Sequence, residues 1–225
     1  MSEARLAVLI SGQGRNLQAI LDAVAARRIP AKIAAVISNV AHVPGLERAR
    51  AAGVPALTVP HKDFAQRADF DAALAAELRR VGAEVVALAG FMRVLGADFI
   101  RSFAGRMLNI HPSLLPLYPG LHTHRRVLEA RDARHGASVH FVTEALDGGP
   151  VAIQGGFSVR AEDTEGTLAE RVMTEVEVKI FPQALAWLVR GELALERDRV
   201  RYRDRVLAQP LTLADLEPEF RGAAA

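Results

Sequence analysis

The sequence predicts an α/β protein: a mostly parallel central sheet with helices on both faces and an antiparallel C-terminal extension. Three observations carry that expectation. Short, continuously apolar runs alternate with stretches of helical spacing as far as His111, the rhythm of strand–helix–strand units. Those runs lack in–out alternation, as strands covered on both faces do. Beyond residue 120 the rhythm changes, and two apolar runs follow each other with only a turn between them.

Residues 6–10 form the first apolar run and end in Ser11-Gly12-Gln13-Gly14, a buried strand meeting a tight turn. Residues 16–26 follow as a helix, with Leu17, Ile20, Leu21 and Val24 on one face. A second strand spans 33–37, and a short helix over 46–52 is closed by Gly53. Residues 54–59 read as a third strand between Pro55 and Pro60. An amphipathic helix over 70–81 leads to a fourth strand at 84–88. A short helix near 96–102 precedes the strand Met107-Leu108-Asn109-Ile110-His111. Then come a helix over 123–130 and strands over 137–142 and 151–159 with no long crossover between them, hence antiparallel. A long helix spans 168–189, with capping-box spacing in Thr167-Leu168-Ala169-Glu170. The tail from Glu192 is expected to add edge structure, and residues 221–225 to fray.

Half of the 225 residues are hydrophobic and about a quarter are charged, ordinary values for a soluble globular chain. Aromatics are few, so aliphatic side chains must fill the core. The absence of cysteine excludes disulfides and thiolate metal sites, and it fits a reducing compartment. No apolar run approaches the roughly 20 residues that cross a bilayer, and the first residues lack the order of a signal peptide. A cytoplasmic protein with no membrane partner is expected. The formal charge is only +2, and basic stretches such as residues 197–201 are interleaved with acids, which argues against a nucleic-acid surface.

Function is written at the strand ends, where ligands of parallel sheets sit. Residues two apart on a strand face the same way, so the Asn109 amide and the His111 imidazole are aimed together before Pro112 stops the ladder. Such a pair suits a carbonyl oxygen that turns negative while a proton moves nearby; a hydrogen-bonded rim histidine is the plainer alternative. The loop Ser11-Gly12-Gln13-Gly14-Arg15-Asn16 lets backbone approach a ligand and offers a helix N-terminus to an anion. It is also what any tight strand–helix turn needs. Leu17 in place of a third glycine, and Ser38-Asn39 rather than an acid, speak against a dinucleotide. Asp147-Gly148-Gly149-Pro150 is either a simple turn or the place where a carboxylate returns toward His111, raising its pKa. Phe91, Met92 and Leu95 beside Arg93 suggest an apolar slot with a cationic end, suited to a flat heteroaromatic ring with an acidic tail. His111, His122, His124, His135 and His140 crowd one third of the chain, but the pattern of a metal clamp is missing. His122 and His124 are expected on an exposed or substrate-facing rim.

These pieces, in this order, resemble the glycinamide ribonucleotide formyltransferases. The likeness rests on Ile10-Ser11-Gly12-Gln13-Gly14-Arg15-Asn16-Leu17-Gln18-Ala19-Ile20, Gly45-Leu46-Glu47-Arg48-Ala49, Leu88-Ala89-Gly90-Phe91-Met92-Arg93, the stretch from Leu108 to His124, and Gly136-Ala137-Ser138-Val139-His140-Phe141-Val142 through Pro150. It spans roughly residues 5–190. Asn-x-His-Pro-Ser followed by Leu-Asp-x-Gly is shared across the wider formyltransferase superfamily. The glycine loop and Tyr118-Pro119-Gly120-Leu121-His122-Thr123-His124 are narrower signs.

The resemblance implies a Rossmann-like domain, 10-formyltetrahydrofolate as formyl donor and glycinamide ribonucleotide as acceptor; no metal is expected, since the residues lack the pattern of a metal clamp. It implies direct transfer, with Asn109, protonated His111 and Asp147 as the catalytic group. The phosphate loop falls on Gly14, Arg15 and Asn16. The folate contacts fall on Arg67, on Met92, Arg93, Val94 and Leu95, on Asn109, and on Thr143, Glu144, Ala145, Leu146 and Asp147. The glutamate that holds the glycinamide maps to Glu177, with Glu175 as the alternative. Two departures stand out. Arg15 replaces a usual small serine and either adds charge or swings out to solvent. The helix near residues 174–179 is one residue longer than the family pattern, with Val178 where a histidine is common.

One domain covering 1–225 is expected, with a nucleotide-phosphate half (about 1–105), a folate and catalytic half (about 106–190) and a tail (191–225). Oligomeric state is not legible. The rival readings are a formyltetrahydrofolate hydrolase, a methionyl-tRNA formyltransferase, and a non-catalytic nucleotide-binding module. The first two carry extra domains for which this chain has no room.

Overall fold

The computed structural model describes residues 3–222. A seven-stranded sheet takes the order β3-β2-β1-β4-β5-β6-β7. Its strands are β1 (Ala4–Ile10), β2 (Ala31–Ser38), β3 (Ala56–Thr58), β4 (Val85–Leu88), β5 (Met107–His111), β6 (Arg134–Phe141) and β7 (Val151–Ser158). The first five run parallel, while β6 pairs antiparallel with β5 and β7 with β6. The expected mostly parallel sheet with an antiparallel extension is therefore what the chain forms.

Burial explains the unbroken apolar runs. Every residue from Leu6 to Ile10 is fully buried, because layers of helices cover both faces. Leu6, Val8 and Ile10 face a core shared with α1 (Arg15–Ala25), α2 (Pro44–Ala51) and α7 (Val178–Val189). Ala7 and Leu9 face a second core, with Phe70, Leu74 and Leu78 of α3 (Arg67–Arg80) and Phe99 and Ile100 of α4 (Ala97–Ser102). The alternation of sides along one strand sorts the two cores.

The sequence order jumps where β1 lies between β2 and β4, and connections leave that point in opposite directions. The ends of β1 and β4 thus open a crevice, the usual ligand position in such sheets. After α5 (Thr123–Ala130), the antiparallel pair β6–β7 closes the other side of the β5 end.

The helix expected over 168–189 starts earlier and is not uniform. Thr164 caps α6 (Glu165–Arg171), accepting from the Thr167 N–H while the Thr167 hydroxyl reaches back to the Thr164 N–H. The capping box is thus Thr164–Thr167, not Thr167–Glu170: the earlier threonine satisfies the orphan N–H groups first. A six-residue π segment, Val172–Glu177, then leads into α7. Such wide turns absorb an additional residue within a helix and are common at functional sites.

The tail forms a separate antiparallel sheet from β8 (Leu193–Glu196), β9 (Arg199–Tyr202) and β10 (Arg205–Val206). It also contributes edge structure, as expected: Leu211 donates to Ala152 O and accepts from Gln154 N, covering the outer edge of β7. Glu217 accepts from Trp187 Nε1 (3.0 Å) and Gln183 Nε2 (3.2 Å), fastening the tail to α7. Arg221 does not fray; it ends α8 (Pro218–Arg221) and donates to Leu216 O at 2.6 Å. The rest of that expectation, on residues 223–225, lies outside the described residues.

Candidate active site

The loop after β1 is built around a left-handed residue. Gly14 has φ +73°, and a Cβ there would lie 2.8 Å from Gly45 Cα, so glycine is required twice over. The Gly45 N–H donates to Gly12 O, fixing the loop against α2. No side chain caps α1, and its first turn carries no acid. The first N–H groups of the helix are therefore free to meet an anion. Ser11, Gly12, Gln13, Gly14, Arg15 and Asn16 line a pocket there, closed by Ala89, Gly90, Met92 and Met173.

Two buried polar side chains meet beside this loop. Asn16 donates to Glu177 at 2.7 Å, and both residues are more than nine-tenths buried. Among the described residues, Asn16 Oδ1 finds no partner, leaving an acceptor open to a ligand donor. Burial holds the Glu177 carboxyl above its ordinary value, against the Asn16 hydrogen bond and the charge of Arg15. The π segment turns Glu177 inward, whereas Glu175 pairs with Arg171 at 2.9 Å. Glu177 is thus the glutamate at the loop. Arg15 lines that pocket and does not swing free: its guanidinium makes a bidentate contact with Glu170, at 2.6 and 2.7 Å.

The β5 end carries the second half of the site. Register sets Asn109 opposite His140 and His111 opposite Ser138, so all four side chains share one face. His140 Nδ1–H donates to Phe141 O, which can only accept; Nε2 is then the acceptor for Asn109 Nδ2 at 3.0 Å. That contact fixes the Asn109 amide and leaves its second N–H pointing elsewhere. The loop after β6 returns Asp147 over the strand end in a left-handed conformation (φ 49°). Gly149 is obligatory in this turn, because a Cβ would strike Phe141 O. Asp147 Oδ2 accepts from the Gly120 N–H at 2.8 Å and stands 3.4 Å from His111 Nδ1; Oδ1 is 3.7 Å from His140 Nε2. The expected return of Asp147 toward His111 is therefore present.

The charge states are more subtle than expected. Burial works to raise the Asp147 carboxyl, but the contacts from His140 and Gly120 and the neighbouring imidazoles outweigh it, so the group sits below its ordinary value. His111 is lowered: burial dominates the opposing effects of the Tyr118 carbonyl and Asp147. A resting imidazole kept protonated by Asp147 is thus corrected. Its two ring nitrogens nonetheless both face acceptors, Tyr118 O at 2.9 Å and Asp147, an arrangement only the charged ring satisfies fully.

A slot runs from Asn109, His140 and Asp147 outward between Leu88, Phe91, Arg93, Val94, Leu95 and Ile100 on one side and Val142, Thr143, Glu144, Ala145 and Leu146 on the other. Arg93 Nε is buried without a partner among the described residues, and its guanidinium lies over the Phe70 ring. Arg67 does not line the slot. It lies with Arg93 around Asp71, in the groove between α3 and α4. Met92 falls on the other side of the ridge: it lines the loop pocket, and its N–H donates to Ser11 Oγ at 2.7 Å. The stretch from Leu88 to Leu95 therefore separates the two cavities by a single chain. Among the described residues, three of the seven exposed large apolar side chains, Met92, Val94 and Leu146, line these two cavities, as expected where a ligand supplies the cover.

His140 was visible in sequence only as one of a crowd; its role depends on strand register, which no local signal encodes. The part played by the Tyr118 carbonyl has no side-chain signal at all. His122 is exposed as expected, but His124 turns inward to His135 at 2.8 Å. Among the described residues, no group of three or more acids and histidines is arranged to hold a metal.

An anion loop and a partly buried amide–imidazole–carboxylate group on one rim of a mostly parallel sheet describe an α/β enzyme of acyl-group transfer. Residues 4–185 match the formyl transferase family. The phosphoribosylglycinamide formyltransferase of Escherichia coli (strain K12) is 49% identical over 193 residues, covering 86% of this chain and 91% of that protein. Two solved structures superpose closely. A phosphoribosylglycinamide formyltransferase from Coxiella burnetii has a TM-score of 0.88 at 42% identity, covering 94% of this chain and 99% of that one. Glycinamide ribonucleotide transformylase 1 from Symbiobacterium toebii gives 0.87 at 46%, covering 90% and 95%. The chain belongs to the formyl transferase family.

Proposed function

We propose that this enzyme transfers a formyl group from 10-formyltetrahydrofolate to the primary amine of glycinamide ribonucleotide, a step of purine synthesis. The observation that carries the reading is the pairing of two cavities across the Leu88–Leu95 ridge. One is an anion loop with a buried Asn16–Glu177 acceptor pair, suited to a phosphorylated amine. The other is an apolar slot ending at Asn109 and Asp147. The slot fits the folate: its walls suit a flat ring, the 143–147 loop lies outside the strand ladder with main-chain groups to offer, and Arg93 with Arg67 beyond it suits an acidic tail. The bound folate supplies the reactive formyl group.

The protein's part follows from the contacts. The loop N–H groups and Glu177 hold the nucleotide, converting a bimolecular attack into an oriented one. The free Asn109 N–H meets the negative charge that develops on the formyl oxygen. That charge also favours protonation of His111, whose second donor position now rests on Tyr118 O. Asp147, held ionised, balances positive charge on the attacking nitrogen, is placed to accept its proton, and returns that proton to the folate nitrogen as the bond from that nitrogen to the formyl carbon breaks. No step requires a metal. No helix among the described residues is long and apolar enough to cross a membrane.

An assay of 10-formyltetrahydrofolate with and without glycinamide ribonucleotide tests the reading. Formyl loss only with the nucleotide is expected. Loss without it would instead assign a hydrolase, and no loss in either case a binding module.

A further inference from the structure

We infer that Glu170 is a built-in competitor for the substrate phosphate, holding Arg15 away from the loop until the phosphate takes it over. The inference rests on the proposed nucleotide site and adds a residue to it. Arg15 is the first residue of α1 and lines the phosphate pocket, yet both of its terminal nitrogens are committed to Glu170 Oε1 and Oε2. Glu170 lies on α6, outside that lining. The pocket is independently marked as a ligand site by the orphan Oδ1 of Asn16, buried within it.

The geometry of the pair is the one a phosphate would use. A guanidinium fork matches two oxygens of a carboxylate or of a phosphate equally well, and here Glu170 occupies it. The contact is weak enough to exchange: Arg15 and Glu170 side chains are 42% and 57% exposed, and ion pairs so exposed are screened by solvent. A phosphate dianion seated on the loop brings more charge than one carboxylate and sits beside Arg15 already. Arg15 is the first residue of α1, so its backbone stays at the rim whichever acid its side chain meets. Exchange would make phosphate affinity depend on the strength of the Arg15–Glu170 contact, while the chemistry at Asn109 is untouched.

Titration calorimetry with ribose 5-phosphate on the wild type, Glu170→Gln, Arg15→Ser and the double variant tests this without turnover. Glu170→Gln is expected to bind about two- to five-fold more tightly, the range an exposed ion pair accounts for. Arg15→Ser should bind more weakly, and adding Glu170→Gln to it should change nothing further. In turnover, Glu170→Gln should lower KM for the nucleotide and leave kcat unchanged. Unchanged or weaker binding by Glu170→Gln overturns the inference. So does an equal effect of that substitution in the Arg15→Ser background, or no binding of ribose 5-phosphate by the wild type. Failure of the functional reading would appear elsewhere, as absence of nucleotide-dependent formyl transfer by the wild type.

Discussion

The loop after β1 presents main-chain N–H groups at the carboxyl rim of the sheet, with the Arg15 side chain turned to Glu170. The end of β5 presents side chains, packed under the rim and hydrogen-bonded to one another. The difference decides what each region tolerates. A site made of backbone depends on conformation, so it can carry a residue as large as Arg15 where the resemblance led one to expect a small one. A site made of buried polar side chains depends on each atom having a partner, and losing one strands the next.

If that contrast is right, the largest effect should come from Asp147→Asn. It removes the charge facing two imidazoles, and kcat should fall about 10²–10⁴-fold with ribose 5-phosphate affinity within two-fold of wild type. Turnover near the wild-type rate would refute the role of Asp147. Asn109→Ala removes the donor proposed to meet the formyl oxygen. Steady-state kinetics should show kcat reduced about 10²–10³-fold, or about 2.7–4 kcal/mol; an effect on KM alone would instead make Asn109 a binding residue.

Acid should distinguish the two regions as well. His135 is buried, chiefly by which its pKa is lowered to about 4, and burial also lowers His111 and His124. Unfolded histidines bind protons near 6.5, so between that value and the folded ones the unfolded chain takes up more protons. The stabilisation is complete above pH 6.5 and is lost as the pH falls. For His135 the loss approaches about 3 kcal/mol at pH 4. Glu177 and Asp71, raised by burial, act in the opposite sense, their contribution fading as the pH rises through their folded values. Urea midpoints should therefore drop from pH 7 to pH 4.5, and less steeply in His135→Gln. Parallel slopes for the two proteins would remove His135 from the account.

The smallest effect is expected at the loop itself. Gly14→Val forces a branched side chain into the left-handed region, at about 1–2 kcal/mol, and against Gly45. A thermal midpoint lower by roughly 2–8 °C should accompany a raised KM for the nucleotide and a kcat close to wild type. A fall in kcat to match that of Asn109→Ala would erase the distinction between the regions.

Much of this was legible because it is local. The buried runs at residues 6–10 and 33–37, the turn at Ser11–Gly14, and the shared face of Asn109 and His111 all follow from spacing within one segment. What was not legible depends on partners far apart in the chain. His140 reaches Asn109 through the register of β5 on β6. Arg15 meets Glu170 only once α6 folds back across the loop. Met92 and Arg93 point into different cavities because the chain between β4 and α4 is a ridge and not a wall. The charge of His111 was misjudged for a related reason: its partner could be named from sequence, whereas the burial opposing that partner is a property of the whole fold.

The π segment between α6 and α7 has a consequence for how this chain can change length. In an α-helix each added residue turns everything beyond it by about 100°, which would carry Glu177 off Asn16 or Trp187 off the tail. The wide turn at Val172–Glu177 takes up that rotation locally, like slack in a gear train, and both contacts survive. The Glu177 contact and the C-terminal clasp are thus not locked to one α-helical phase.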